Sequence, residues 1–548
     1  MYFYLAAIVA IISYYLYKFY IYPLYLSPLR KIPGPPVDNL ILGNFASPPF
    51  LNKELGEAFV HLVKQYGGIV RFHGLLNEQN LIISDQKLIQ QVLLSRSYDY
   101  PKFFLNKAIV KELFGEGIVI AEGDSHKRQR NVMTPSFAFA NVKEMAPKFV
   151  QAGHKLKEIW IKQIGDKEEE RITITDLIPK ITLDIIGLVG FNYEFNSTSS
   201  GSELAQAFKS IVSRNYPPLY IALLKFFPFI RLLPTPSNNK YFNSIKIIAN
   251  ISEKLVVEQN NSLVQGTDFL SLIIKANDNL PVNDQLTHKE LISQVMTLLL
   301  AGHETTSNAL SWALYFLAKH PDAQDRLRKE VSEVLTNRDY FPTVDEIERL
   351  KYLECVIKET LRVIPPVSAL LRHTSKDEIM NGYLVTKNTP LWIPVYTIHR
   401  DPLIWGDDAE DFNPSRWLDP EVKSKITHTN FLPFGAGPKN CLGMKMAYLE
   451  FKSLLSVIIR NFEFKLVEGF TFKTKLGALS KPSPGIDLWM SNVPNSRVVD
   501  DPPIEVSEQP LHHNPDRSRV QIVPDVAVYP DTAFVSRVAF SAVIPPPP

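Results

Sequence analysis

From Tyr2 to Leu26 the chain is almost unbroken in its apolar and aromatic character, YFYLAAIVAIISYYLYKFYIYPLYL, with Lys18 as its one charge. A helix of that length covers the ~30 Å hydrocarbon layer of a bilayer, and the tyrosines suit its two interfaces. Residues 1–26 are therefore expected to form a transmembrane signal anchor. No basic leader or small-residue cleavage site marks a removable signal peptide. Arg30 and Lys31 follow the span, which keeps the rest of the chain on the cytosolic side. Residues 27–36, SPLRKIPGPP, read as a stiff proline-rich hinge.

Beyond the hinge the period changes. EAFVHLVKQYGG, from Glu57 to Gly68, repeats apolar residues at helical spacing and stops at glycine. GIVRFHG and NLIISD read as a strand pair, helical patterns dominate the middle, and short strands return at LWIPVYTIH. Neither a repeat nor a linker interrupts residues 37–492. This predicts one large domain, mainly α with small β-sheets. From 493 to 548 the pattern stops. DDPPIEVSEQPLHHNPDRSRVQIVPD and the closing IPPPP exclude helix and cannot bury a core, so a disordered proline-rich tail is expected.

Overall composition changes this picture little: 45% hydrophobic and 21% charged residues are ordinary. A net charge of +2 offers no basic concentration, so nucleic acid is not an expected partner. The cysteines matter more. There are two in 548 residues, too few for a disulfide framework. Cys355, in the helical run LECVIKETLR, reads as a small buried hydrophobe. Cys441 lies in FGAGPKNCLG, Phe434 to Gly443, and is expected to begin the apolar-periodic helix that follows. A helix N-terminus favours the thiolate, and Gly435, Gly437 and Gly443 allow tight turns and close approach to a flat ligand. Zinc would need three further nitrogen or sulfur ligands, and no C-x-x-C or paired histidines stand nearby. Haem iron needs one axial thiolate. For the cysteine taken alone, a structural turn residue is the alternative.

Five further stretches carry chemistry. LLLAGHETTSNALSWAL belongs to a buried helix expected from Leu291 to His320, and an acid beside two threonines in its middle is unfavourable unless hydrogen-bonded. HETTS is not a zinc-hydrolase motif, because Ser307 stands where the second histidine is required. KETLR sets Glu359 and Arg362 on one helix face, and FNPSRW offers Arg416 among aromatics. EGDSHKRQRNVMTPSF contains His126 and Arg130, and LLRHT contains Arg372.

In their order along the chain these stretches resemble the cytochrome P-450 family, in its microsomal eukaryotic and fungal form. FGAGPKNCLG is similar to the haem signature Phe-x-x-Gly-x-Arg-x-Cys-x-Gly, with Lys439 in place of the arginine. The resemblance implies haem b with Cys441 as the proximal iron ligand, Phe434 shielding the sulfur, and Gly437 and Gly443 permitting the loop and the haem packing. It implies propionate contacts from Lys439, His126 (where tryptophan is usual), Arg130 and Arg372. Ala301, Gly302, Glu304, Thr305 and Thr306 match the family's oxygen-side motif. By that resemblance Gly302 leaves room for a diatomic molecule, the Thr305 hydroxyl supports it, and Glu304 links it to solvent protons. Glu359, Arg362 and Arg416 resemble the family's structural network.

The implied activity is a haem-thiolate monooxygenase that inserts one oxygen atom of O2 into a lipophilic substrate such as a fatty acid, sterol, terpenoid or xenobiotic. GAGPKN breaks the dinucleotide fingerprint at Asn440, and no flavin-domain length follows residue 492. The implied electron donor is therefore a separate NADPH-cytochrome P-450 reductase on the endoplasmic reticulum membrane, docking near Lys439 and Lys445, with cytochrome b5 as an optional second donor. The segments that contact substrate in the family correspond here to KFFLNKAIVKELFGEG, NYPPLYIALLKFFPFIRLL, LLLAG and PPVSALL, all apolar. Two alternatives stand beside this reading: a haem-thiolate isomerase or dehydratase, against which the intact Glu304–Thr305 pair argues, and a membrane-anchored haem-binding protein without turnover.

Overall fold

A computed structural model describes residues 2–493, apart from 48–49, 51–54, 199–201, 213, 215–219, 221–222, 225–226, 263–265, 472 and 477–478. The expected tail beyond Val493 and most of NYPPLYIALLKFF lie outside the described residues.

Helix α1, Tyr2–Leu16, continues as π-helical turns over Tyr17–Leu26 and buries none of its own side chains. Together with the turn after it, Tyr2–Lys31 is the one helix among the described residues long and apolar enough to cross a membrane. Ser27 ends it, its hydroxyl accepting from Leu29 N at 3.3 Å. Next come α2 (Leu55–Tyr66), with Gly67 at φ +96° as its stop, and strands β1 (Ile69–His73) and β2 (Gln79–Ile83), paired antiparallel with Ile69 opposite Ile83.

The helices that carry the centre of the protein are α3 (Gly123–Met133), α4 (Phe139–Ile164), α5 (Ile174–Phe191), α6 (His288–Lys319), α7 (Lys351–Val363) and α8 (Met444–Asn461). Between and after them run β3 (Glu170–Thr173), β4 (Leu370–His373), β5 (Glu378–Met380), β6 (Tyr383–Val385), β7 (Pro390–Ile393), β8 (Phe462–Leu466), β9 (Lys473–Leu476), β10 (Ser480–Ser483) and β11 (Asp487–Asn492). They form small sheets in the orders β1-β2-β7-β4 and β3-β11-β8, with hairpins β5-β6 and β9-β10. LWIPVYTIH is strand only as far as Ile393. Pro394 has no N–H for the ladder, and Val395–Ile398 turns into a short helix whose Ile398 N donates to Pro394 O at 3.0 Å.

Helix α6 is 32 residues long, or about 48 Å at 1.5 Å per residue. It starts three residues before the expected Leu291, because Thr287 and Glu290 form a capping box: Glu290 N donates to Thr287 Oγ1 (3.2 Å) and Thr287 N to Glu290 Oε2 (2.8 Å). Leu299, Leu310, Leu314 and Leu317 on α6 are fully buried in one core with Ile185 and Val189 of α5 and with Leu454 and Leu455 of α8. Each such side chain contributes roughly 1.5–3 kcal/mol by burial. That core holds α6 and α8 as fixed walls.

Candidate functional site

The loop before α8 is shaped by two glycines. Gly435 (φ +69°) and Gly437 (φ +72°) adopt a left-handed backbone, and a Cβ on Gly437 would lie 2.0 Å from Leu93 O. Cys441 N–H donates to Phe434 O at 2.9 Å, folding the loop back on itself. The helix therefore begins not at Cys441 but at Met444. Phe434 is half-buried, its ring 5.2 Å from that of Tyr448.

The Cys441 side chain is exposed. Protein nevertheless surrounds it closely enough for burial to push its thiol pKa up, against the Gly443 N–H and the Arg130 charge, which both favour the thiolate. The sulfur thus lines an internal space rather than the outer surface. A Cβ on Gly443 would meet only Cys441 Sγ, at 3.9 Å. Glycine here keeps the room beside the sulfur clear.

Beside this loop the structure gathers positive charge. His126 is buried on α3, with Tyr98 OH 3.2 Å from its Nδ1; burial, then the Lys102 charge, hold its pKa down to about 4, so it is a neutral imidazole. Arg130, one turn on, donates to Asn440 O at 2.6 Å and to Asn440 Oδ1. Arg372 on β4 is 7% exposed; its Nη1 donates to Leu371 O at 2.8 Å, while its Nε is buried with no partner. Burial lowers the Arg372 pKa to about 10. Lys439 is fully buried, pairing with Glu122 Oε2 at 2.6 Å and reaching Tyr100 O at 3.2 Å. It offers no charge to a docking partner, which corrects that expectation; Lys445 is exposed.

Sequence reasoning missed Tyr98, Lys102 and Glu122. Lys102 donates to Ile118 O (2.8 Å), Val119 O (3.0 Å) and Ala121 O (3.1 Å), and burial lowers its pKa to about 7. The signal was a lone lysine inside the aromatic-rich SYDYPKFFL. Glu122 is the one carboxylate acting on Lys102, Arg372 and Lys439.

On α6, Ala301 is exposed and Gly302 and Thr305 are half-buried, while His303, Glu304 and Thr306 are buried. Positions 301 and 305 share one helix face, so an accessible patch opens midway along an otherwise packed helix. Thr305 Oγ1 donates to Ala301 O at 2.9 Å, leaving its lone pairs to accept from that side. Gly302 permits close helix contact: a Cβ there would meet Ile186 Cδ1 of α5 at 2.7 Å. Nor does Glu304 meet solvent directly. Its carboxylate is ion-paired with Lys481 of β10 and lies 3.4 Å from His303 Nε2.

The structure brings Glu359, Arg362 and Arg416 together with every charge answered. Arg362 Nε and Nη2 donate to Glu359 Oε2 and Oε1, each at 2.8 Å, and Arg416 Nε to Oε1 at 2.9 Å. Trp417 Nε1 donates to Oε2 at 2.9 Å, and Arg362 Nη1 to the carbonyls of His399 (2.8 Å) and Ala409 (2.6 Å). His399 carries this framework to the cysteine loop. Complete burial holds its pKa down to about 3, so the ring is neutral. Nδ1 faces Arg362 O at 3.2 Å and must hold the proton, which leaves Nε2 to accept from Leu432 N at 2.8 Å.

Comparison with known proteins decides the family. The model of the cytochrome P450 family matches residues 33–490. Cytochrome P450 monooxygenase 205 of Postia placenta is 34% identical over 485 residues, covering 80% of this chain and 86% of its own. Cytochrome P450 monooxygenase 128 of the same fungus is 32% identical, with 83% and 89% covered. Cytochrome P450 monooxygenase claP of Ampulloclitocybe clavipes is 31% identical, with 77% and 84% covered. This chain belongs to the cytochrome P450 family. It is a P450 monooxygenase, mainly α with small β-sheets, and the family carries haem on a cysteine thiolate. The residues fit that group: a sulfur on an internal wall, clear space at Gly443, and buried cations in excess over Glu122, one with an orphaned N–H.

Proposed function

We propose that this P450 hydroxylates a lipophilic small molecule, with electrons from NADPH-cytochrome P450 reductase, while anchored in the endoplasmic reticulum membrane by residues 1–26. Residues 37–492 form the catalytic domain on the cytosolic face. The overall reaction is R–H + O2 + 2e⁻ + 2H⁺ → R–OH + H2O. Haem, when bound, supplies the dioxygen chemistry of this reaction.

Cys441 would ligate the iron as thiolate, with the Gly443 N–H and Arg130 charge favouring that form. Arg372 would give its unpartnered Nε–H to a propionate, with Lys102 and the neutral His126 nearby. Thr305 Oγ1, exposed on the α6 patch, would hold a proton donor in place beside the reacting atoms, and Glu304 would renew that proton. The apolar segments KFFLNKAIVKELFGEG, LLLAG and PPVSALL would wall the substrate space and exclude water. The observation that carries this reading is the pairing of an accessible Cys441 sulfur with a cation cluster one carboxylate cannot neutralise.

The test is reductase-coupled turnover in membranes. NADPH consumption is expected to rise on adding one class of lipid, and product oxygen to come from O2. In Thr305→Ala, NADPH consumption is expected to persist while product per NADPH falls about 10-fold or more, the difference released as peroxide. Rearranged products formed without NADPH would contradict the monooxygenase assignment for this chain's substrate.

A further inference from the structure

Glu304 and Thr305 are neighbours in sequence but face different surroundings. Thr305 lies on the accessible patch, whereas the Glu304 side chain is 6% exposed. Its charge is met from another part of the chain: Lys481 Nζ, on β10, pairs with Glu304 Oε2. The carrier of that lysine is pinned. Ser480 O accepts from Asn308 Nδ2 (2.5 Å) and Trp312 Nε1 (3.2 Å), one and two turns along α6 from Glu304, and Ser480 N donates to Pro366 O at 2.9 Å. These bonds fix the register of β10 against α6.

Two groups touch the carboxylate, and only one can bring it a proton from outside. His303 is 1% exposed, its ring against Phe208 at 4.8 Å. Its Nδ1 lies 2.5 Å from Leu299 O, which can only accept. That contact uses the Nδ1 proton, and Nε2 lies 3.4 Å from Glu304 Oε1, so the ring is closed off between helix and carboxylate with no edge on water from which to take up another proton. Lys481 has three N–H donors, and its side chain is 26% exposed. Burial works to raise the Glu304 pKa, but His303 and Lys481 outweigh it and hold the carboxyl down to about 2. At working pH the acid is thus ionised: it can pass a proton on but does not store one.

We propose that Lys481 is the solvent-side proton donor to Glu304, so that the acid–alcohol pair of α6 is supplied through the β9–β10 hairpin. This rests on the monooxygenase reading above. In the step, an Nζ–H bond of the Lys481 ammonium breaks and a Glu304 Oε2–H bond forms. Glu304 then yields that proton on the Thr305 side and returns to carboxylate. The neutral Lys481 amine takes its next proton from water. No electrons move, and each cycle carries one proton inward. Lys481 acts through Glu304 and is a positioning and supply residue for it.

Two substitutions separate proton delivery from mere charge pairing. Lys481→Arg keeps a cation against Glu304, but a guanidinium does not release its proton. Lys481→Gln removes the cation as well. In the reductase-coupled membrane system, product per NADPH is expected to fall about 10-fold or more in both variants, with a larger solvent isotope effect on product formation. Infrared spectra read the pair without turnover: a protonated-carboxyl C=O stretch is expected in Lys481→Gln and absent from the wild type and Lys481→Arg. Wild-type coupling and isotope effect in Lys481→Arg would overturn the proposal, leaving Lys481 a charge partner only. The reduced carbon-monoxide spectrum of each protein keeps the two readings apart. A thiolate-type band in all three is expected, and its absence from the wild type would overturn the monooxygenase reading and the proposal together.

Discussion

Two of the protein's buried charge clusters are built to opposite rules. Around Glu359 two guanidiniums, an indole N–H and several carbonyls close together, Asp408 answers the second guanidinium at 2.8 Å, and the cluster is complete without anything else. Around Arg372 the cations outnumber Glu122, one guanidinium N–H has no partner, and the Lys102 pKa is down to about 7. A closed cluster can only hold structure. An open one of the same sign is under strain until an anion arrives, and it marks where a ligand belongs. His399 connects the closed cluster to the Cys441 loop by way of Leu432, so the rigid part sets the geometry of the reactive one.

Breaking the closed cluster has the largest expected effect. Glu359→Gln leaves the buried Arg362 without a carboxylate and Arg416 with Asp408 alone, and is expected to cost about 3–5 kcal/mol of stability, read by denaturant unfolding of the haem-free protein. Stability within 1 kcal/mol of wild type would mean the network is dispensable. Opening the second cluster further is expected to spare the fold. In Arg372→Met, haem binding is expected to weaken about 10- to 100-fold through one lost charge-assisted bond of roughly 1.5–3 kcal/mol, measured by haem transfer to an acceptor protein. The unfolding midpoint of haem-free Arg372→Met is expected not to fall, since an unpaired buried cation has been removed. A large loss of apo stability would put Arg372 in the structural class instead.

The hinge between the clusters titrates. The folded pKa of His399 is about 3, against an unfolded value near 6.5. The unfolded state therefore binds the extra proton between those pH values, and stability is present above about pH 6.5 and lost as pH falls. At 1.36 kcal/mol per pH unit, this one group is expected to remove about 2 kcal/mol between pH 6.5 and 5. His399→Gln is expected to flatten that slope, measured as unfolding free energy against pH. An unchanged slope would show that His399 is not held neutral.

Much of this was readable before any coordinates. The apolar period located α6 to within three residues, and the glycine pattern of FGAGPKNCLG announced a loop that presents a sulfur. Residue types alone paired Glu359 with Arg362, because an i, i+3 spacing puts both on one face. What escaped were contacts between distant segments. Nothing in SKPS says that Lys481 reaches Glu304 across 177 residues, nor does EGD reveal that Glu122 occupies Lys439. The helix contact at Gly302 escaped for the same reason: it depends on Ile186, which only the fold brings there.

The central claim is that Cys441 gives its thiolate to haem iron at the edge of the open cluster. The most direct measurement is the absorption spectrum of the reduced, carbon-monoxide-bound protein, wild type beside Cys441→Ser. The wild type is expected to give the strongly red-shifted Soret band that thiolate electron density produces. The serine variant is expected to lose that shift while its cation cluster still retains some haem. A red-shifted band that survives in Cys441→Ser would contradict the assignment.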